Sequence, residues 1–160
     1  MAKPHIICVD DQRDILATLK KELLFFRDLI KVYYCESAEE AAKIMDEIDA
    51  ESGHVAVIVC DHVMPGKSGV EFLSGVKDDN RFPNTKKLLL TGLATHDDTI
   101  EAINKAKIDR YIGKPWETHD LINKIRVLLT EYILEEGLDY NDYLTILDQD
   151  SLYAQLRKTT

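Results

Sequence analysis

The sequence predicts a doubly wound α/β fold, in which a five-stranded parallel sheet is flanked by five helices. Residues 55–60 form an uninterrupted, Val/Ile-rich run, which is typical of a parallel strand buried on both faces. Pro65, Gly66 and Gly69 turn the chain after this run, before a helical pattern begins. Short apolar runs alternate along the chain with segments of helical periodicity, which predicts parallel strands joined by right-handed crossovers.

Each element is predicted from a local pattern. Apolar residues at helical spacing, such as Leu16 and Leu19, indicate helices, whereas short β-branched and aromatic runs indicate strands. Ser37 and Glu40 form a capping box at the start of one helix. The strands are predicted at residues 5–9, 30–35, 55–60, 88–91 and 109–112, and the helices at residues 13–27, 38–50, 68–77, 95–107 and from residue 117 or 118 onward.

Length and composition predict one domain with a short extension. The 160 residues are 45% hydrophobic, which is sufficient for one core. We expect residues 1–130 to form the α/β domain and residues 131–160 to form an acidic, partly apolar extension that is helical, with Ser151 as a helix N-cap. Seven carboxylates against Arg157 and Lys158 give the extension a net charge of −5. It is too apolar for a disordered tail, so it either packs on its own domain or docks on another chain.

Charge and hydropathy disfavour two classes of partner. The net charge of −9 argues against a nucleic-acid-binding surface. No apolar run reaches membrane-spanning length and no signal sequence begins the chain, so the sequence predicts a cytoplasmic protein without a membrane partner. Cys8 and Cys60 lie within apolar runs and are expected to be reduced and buried.

Polar residues of complementary chemistry lie at the carboxyl ends of four of the predicted strands. They are Asp10 with Asp11, then Asp61, Thr91 and Lys114. Because the carboxyl ends of parallel strands meet at one edge of a sheet, we expect these side chains to converge there. Clustered carboxylates repel one another unless a cation is present, and Mg²⁺ prefers such oxygen ligands. The set is suited to phosphoryl transfer to a carboxylate, with Asp61 as the nucleophile.

These residues carry a resemblance to a known family. Over residues 4–130 the chain resembles the CheY-like receiver domain of two-component response regulators. The matching positions are Asp10-Asp11, the run Val57-Ile58-Val59-Cys60-Asp61, Met64-Pro65-Gly66 with Gly69, Thr91-Gly92 and Lys114-Pro115. The resemblance implies a flavodoxin-like sheet with strand order 2-1-3-4-5, and it implies that residues 1–130 are a receiver domain.

The resemblance also implies a role for each site residue. Asp61 would accept a phosphoryl group from a sensor histidine kinase or a phosphotransfer protein. Thr91 and Lys114 would contact the acyl phosphate, and Tyr111 falls at the position of the family's switch aromatic. Mg²⁺ would be held by Asp10 (through water), Asp11, Asp61 and the Val63 backbone carbonyl.

Two apolar positions near the site suggest a long-lived phosphorylated state. Val63 lies two residues after Asp61, and Leu93 lies two residues after Thr91. Neither side chain can orient an attacking water, so we expect slow self-dephosphorylation. His62 is expected to be exposed in its loop.

Three interpretations of the output remain open at this stage. In the first interpretation, the chain is a receiver that binds a downstream protein, or a second copy of itself through its last helix and extension. In the second, it is the receiver part of a longer regulator with an enzymatic output domain. A Mg²⁺-dependent phosphohydrolase with an aspartyl nucleophile is the third interpretation. Val63 disfavours it, because such enzymes generally need an acid/base aspartate at that position. We therefore expect no enzymatic activity beyond phosphorylation and dephosphorylation of Asp61.

Overall fold

Five parallel strands form one sheet, as the sequence predicts. This computed structural model describes residues 3–92, 100 and 104–158. Most of the helix predicted at residues 95–107 lies outside the described residues, and residues 104–106 are helical. The strands are β1 (Pro4–Val9), β2 (Lys31–Cys35), β3 (His54–Asp61), β4 (Lys86–Thr91) and β5 (Arg110–Gly113). Their order in the sheet is β2-β1-β3-β4-β5, as the family resemblance implies. The other helices are α1 (Arg13–Glu22), α2 (Ala38–Ala50), α3 (Gly69–Asp78), α4 (Thr118–Glu135) and α5 (Gln149–Lys158).

Helices cover both faces of the sheet, which confirms the doubly wound architecture. Alternate residues of β1 show the division: Ile6 and Cys8 pack in the cluster that contains α1 and α4, whereas Ile7 and Val9 pack in the cluster that contains α2 and α3. All four side chains are fully buried. The continuous apolar runs of the strands are therefore explained by burial on two faces.

Helix α1 is shorter than the sequence predicts. It ends at Glu22, and a 3₁₀ turn at Leu23–Phe26 replaces the last part of the predicted helix. Residues three apart eclipse one another in a 3₁₀ turn, so Leu23 and Phe26 both enter the core, at 1% and 0% exposure. Leu24 and Phe25 remain on the surface, each 49% exposed.

The turn between β3 and α3 fixes the position of the last residue of β3. Gly69 lies so close to the Asp61 backbone that a Cβ atom there would overlap the Asp61 carbonyl oxygen. The Gly69 N–H donates to the His62 carbonyl over 2.9 Å, and Gly66 adopts a φ of +79° that favours glycine. Ser68 is the N-cap of α3 and accepts a hydrogen bond from the Glu71 N–H. The turn therefore requires glycine where α3 meets the end of β3.

The extension after α4 folds back onto α4. Gly137, with a φ of +71°, turns the chain, and a 3₁₀ turn at Tyr140–Tyr143 leads to α5. Ile146, Leu147 and Leu152 of the extension are 5%, 0% and 2% exposed. Ile146 and Leu147 join the same core cluster as α1 and α4. Of the two placements left open by the sequence, the structure shows packing on the extension's own domain.

Polar contacts hold the extension in this position. The Arg126 guanidinium on α4 donates to the carbonyl oxygens of Ile146 (3.1 Å) and Leu147 (2.6 Å). The Thr130 hydroxyl accepts a hydrogen bond from the Asp148 N–H over 2.9 Å. Asp148 also caps α5, since its carboxylate accepts from the Ser151 N–H. The prediction that Ser151 is the N-cap is therefore wrong, because the helix begins one turn earlier than the pattern indicated.

Among the described residues, no helix is both long enough and apolar enough to cross a membrane. The three cysteines are free and buried, as expected for Cys8 and Cys60.

Substitution of Leu147 by alanine tests the packing of the extension. Leu147→Ala is expected to lower the free energy of unfolding by about 2–5 kcal/mol, because it leaves a cavity between the extension and α4. Urea denaturation measures this change. Leu144→Ala is the matched control, since Leu144 is 41% exposed in the same segment. Equal effects of the two substitutions would contradict the packing described above.

Substitution of Gly69 tests the close approach at the end of β3. Gly69→Ala is expected to lower the free energy of unfolding by roughly 1–3 kcal/mol, because the new methyl group forces the Asp61 backbone to move. Gly75→Ala on the exposed side of α3 meets nothing within 4 Å, and it is expected to raise the stability by about 0.4–1 kcal/mol. A Gly69→Ala protein as stable as the Gly75→Ala protein would contradict this account.

Candidate functional site

The carboxyl ends of four strands lie together at one edge of the sheet. Asp10 follows β1, Asp61 ends β3, Thr91 ends β4 and Lys114 follows β5. The Lys114 N–H donates to the Thr91 carbonyl over 2.8 Å, which ties the ends of the last two strands together. Side chains from distant parts of the sequence therefore share one small region.

Three carboxylates at this edge can share one cation. Carboxylate oxygens of Asp10, Asp11 and Asp61 all lie within 4.8 Å of one another. Asp10 is fully buried and Asp61 is 6% exposed, whereas Asp11 faces solvent. The Gln12 N–H donates to Asp10 Oδ1 over 2.9 Å and fixes that carboxylate. Hard divalent cations prefer such a set of oxygen ligands, so the residues present fit a Mg²⁺ site.

Lys114 bridges two of these carboxylates. Its Nζ atom lies 2.8 Å from Asp10 Oδ2 and 3.1 Å from Asp61 Oδ1. Burial lowers the pKa of Lys114, but the hydrogen bonds to Asp10 and Asp61 raise it more, so the net pKa lies above its usual value. The ammonium group therefore stays charged and offsets part of the carboxylate repulsion.

The single positive charge of Lys114 does not fully neutralise the carboxylates around Asp61. Burial raises the pKa of Asp61, and the charges of Asp10 and Asp11 raise it further. The hydrogen bond from Lys114 opposes these effects without cancelling them, so the net pKa lies above the usual value. A second cation at this edge would favour the ionised carboxylate, and an ionised carboxylate is the form that acts as a nucleophile.

The remaining residues singled out in the sequence differ in exposure. Thr91 is 7% exposed at the end of β4, Tyr111 on β5 is 49% exposed, and Val63 is 74% exposed. Leu93 lies outside the described residues. His62 is half-buried rather than exposed, and its Nδ1 atom is buried without a hydrogen-bond partner among the described residues.

Trp116 makes a contact that sequence reasoning missed. Its indole N–H donates to both carboxylate oxygens of Glu22, over 3.1 Å and 3.0 Å. This pair links the segment that carries Lys114 to the last turn of α1, and α1 itself begins just after Asp10 and Asp11. The only available signal was the single tryptophan two residues after Lys114, and nothing in the sequence pointed to Glu22 as its partner.

Comparison with known proteins identifies one family of similar sequences. The model of the response regulator receiver domain matches residues 6–126. The hydrogenase transcriptional regulatory protein HoxA of Cupriavidus necator is 33% identical over 121 residues, which are 76% of this chain and 23% of that protein. The chemotaxis protein CheY1 of Helicobacter pylori is 27% identical over 126 residues, which are 78% of this chain and 95% of that protein. This chain thus spans less than two thirds of the HoxA relatives from Cupriavidus necator and Bradyrhizobium diazoefficiens, at 23% and 25% of their length.

Solved structures share the fold. The signal receiver domain of an HD domain-containing protein from Pseudomonas fluorescens superposes with a TM-score of 0.74 at 26% identity, covering 86% of this chain and 94% of that chain. A CheY-like receiver domain protein from Methanospirillum hungatei gives a TM-score of 0.69 at 30% identity, covering 84% and 99%. These matches agree with the resemblance found in the sequence. Because the family match covers more than half of the chain, this protein belongs to the response regulator receiver domain family.

Proposed function

We propose that this receiver domain is phosphorylated on Asp61 by a sensor histidine kinase or a phosphotransfer protein. The observation that carries the proposal is the nearly buried Asp61 carboxylate, which lies 3.1 Å from Lys114 Nζ and shares a 4.8 Å cluster with Asp10 and Asp11. A buried carboxylate with cationic neighbours is suited to attack an activated phosphoryl group. The exchange would take place in the cytoplasm.

Mg²⁺ is the cofactor that these residues would hold. Asp11, Asp61 and the Val63 backbone carbonyl would be direct ligands, and Asp10 would act through water. When bound, the ion supplies positive charge that neutralises the transferring phosphoryl oxygens. The oxygen-only donor set and the raised pKa of Asp61 support this assignment.

The transfer step is a direct exchange of bonds at phosphorus. An Asp61 carboxylate oxygen forms a bond to phosphorus while the phosphorus–nitrogen bond of the donor phosphohistidine breaks, and its electron pair stays on the imidazole. The Lys114 ammonium then turns from Asp61 to a phosphoryl oxygen while it keeps its contact with Asp10. The Thr91 hydroxyl donates to another phosphoryl oxygen. The domain would catalyse no reaction beyond phosphorylation and dephosphorylation of Asp61.

Phosphorylation would act by shifting a population between two conformations. As Thr91 moves toward the phosphoryl group, space opens behind its hydroxyl and Tyr111 turns inward from its 49% exposed position. The surface around β5 and α4 changes with it. A downstream protein or a second copy of the chain would recognise this surface.

The extension constrains how a second copy could bind. We propose residues 1–130 as the receiver unit and residues 131–160 as its extension, with α4 continuous across the boundary. The extension packs on α4 through Leu147 and the Arg126 hydrogen bonds. A dimer formed through the extension would first have to release these contacts. A dimer formed through the side of α4 where Glu131 lies 3.8 Å from Lys86 and 3.9 Å from Arg110 would leave the contacts of the extension intact.

Replacement of Asp61 tests the acceptor. In the presence of Mg²⁺ and acetyl phosphate, the wild-type chain is expected to gain one hydroxylamine-sensitive phosphoryl group by intact mass spectrometry. Asp61→Asn is expected to gain none, because an amide cannot form the acyl phosphate. Asp142→Asn, at an exposed carboxylate of the extension, should be labelled like the wild type. Retained labelling of Asp61→Asn would place the acceptor elsewhere.

Replacement of Val63 tests the expected long life of the phosphorylated state. Val63→Asn is expected to speed the loss of phosphate by roughly tenfold, because an amide can orient the attacking water that valine cannot. The decay of the phosphorylated mass after removal of the donor measures the rate. Val63→Ile keeps the position apolar and should decay like the wild type. An unchanged rate in Val63→Asn would remove this residue as the cause of slow dephosphorylation.

A further inference from the structure

A groove with basic walls lies at the edge of the sheet opposite Asp61. Four cations line it: Lys3 before β1, Lys20 in the last turn of α1, Arg27 after the 3₁₀ turn and Lys31 at the start of β2. We call it the basic groove. It lies at the amino ends of β1 and β2, whereas the phosphorylation site lies at the carboxyl ends, so a ligand here would not contact Asp61.

The charge of the basic groove is opposite to that of the chain. All four cations are exposed, and no carboxylate is among the described residues that line the groove. Arg27 has only a weak pairing, with its Nε atom 3.9 Å from the exposed Asp28, and Lys31 lies 5.1 Å from the centre of the Tyr33 ring. In a chain with a net charge of −9, four converging cations form a local site of positive potential.

The floor of the basic groove is apolar. Ile30 is 2% exposed, Val32 and Tyr34 are half-buried, and Leu24 reaches the rim with 49% exposure. Burial raises the pKa of the Tyr34 phenol, so its hydroxyl stays protonated and is able to donate to an anion. The volume of about 310 Å³ is at the lower end of the roughly 300–1,000 Å³ typical of ligand pockets, which suits a few side chains of a short segment.

We propose that the basic groove binds an acidic peptide segment of a partner protein, in which carboxylates alternate with apolar side chains. The carboxylates would pair with Lys20, Arg27 and Lys31, and the apolar side chains would lie on the floor beside Leu24. Exposed cations give such a site its charge selectivity and association rate, while burial of the apolar side chains gives affinity. This site is independent of phosphorylation of Asp61.

A nucleic acid fits the groove less well. Long polyanions contact a basic surface over many phosphates, whereas the remainder of this chain is strongly acidic and would repel them. A phosphate backbone also offers no apolar group that could pack on the floor of the groove. The combination of few cations with a hydrophobic floor favours a short amphipathic anion.

Fluorescence anisotropy with a synthetic probe tests the proposal. The probe is a fluorescein-labelled ten-residue peptide in which glutamate alternates with leucine and phenylalanine. It is expected to bind the full chain at low salt, more weakly as salt rises. Two control peptides, one with glutamine in place of glutamate and one with serine in place of the apolar residues, are each expected to bind at least about tenfold more weakly.

Variants locate the binding on the chain. The double variant Lys20→Glu/Lys31→Glu is expected to weaken binding of the probe by about tenfold or more, and Leu24→Ala is expected to weaken it severalfold. Lys43→Glu is a control for charge reversal outside the groove, since Lys43 is exposed on α2 across the sheet, and it should bind like the wild type. Unfolding midpoints check that each variant is folded, and phosphorylation by acetyl phosphate should be unchanged in all of them.

Three outcomes would overturn the proposal. They are absence of probe binding to the folded wild-type chain, equal weakening by Lys43→Glu and by Lys20→Glu/Lys31→Glu, and full competition by single-stranded DNA of the same charge. The last outcome would make the groove a general polyanion site. Because the assay needs no phosphoryl donor, its result does not depend on whether Asp61 is the phosphoryl acceptor.

Discussion

The pairing of Lys114 with Asp10 and Asp61 is the interaction on which the site depends. Two buried carboxylates this close would repel each other strongly, and the ammonium group placed 2.8 Å and 3.1 Å from them offsets part of that repulsion. The compensation is incomplete, as the raised pKa of Asp61 shows. The edge of the sheet therefore retains an affinity for further positive charge, which is the property that the proposed phosphoryl acceptor requires.

Burial of the sheet on both faces decides where this chemistry can lie. In the part of the chain that the structure describes, helices pack on both faces of the sheet, so a ligand can reach the strands at their ends. Gly69 allows the start of α3 to lie against the Asp61 backbone, and Trp116 holds the segment after β5 against α1 through Glu22. The site is thus positioned by backbone packing and by contacts outside it.

The extension gives the two sides of α4 different roles. One side is covered by Ile146 and Leu147 and by the Arg126 hydrogen bonds to the backbone. The other side faces β4 and β5, where the half-buried Glu131 makes long ion pairs of 3.8 Å with Lys86 and 3.9 Å with Arg110. In the proposed function, a change in the orientation of Tyr111 on β5 would alter this second side. The covered side instead stabilises the domain through apolar burial.

The sequence by itself determined the strands of the sheet and the residues at their ends, because apolar runs and helical spacing are local patterns that packing on two faces requires. The order of the strands followed from the family resemblance. Only the tertiary structure decided the end of α1 at Glu22, the capping of α5 by Asp148, the partner of Trp116 and the placement of the extension. It also decided that Lys3, Lys20, Arg27 and Lys31 share one groove. Most of these features depend on contacts between residues far apart in the chain. The end of α1 depends instead on a choice between an α-helical and a 3₁₀ turn, which burial of Leu23 and Phe26 decides. Neither cause leaves a periodic signal in the sequence.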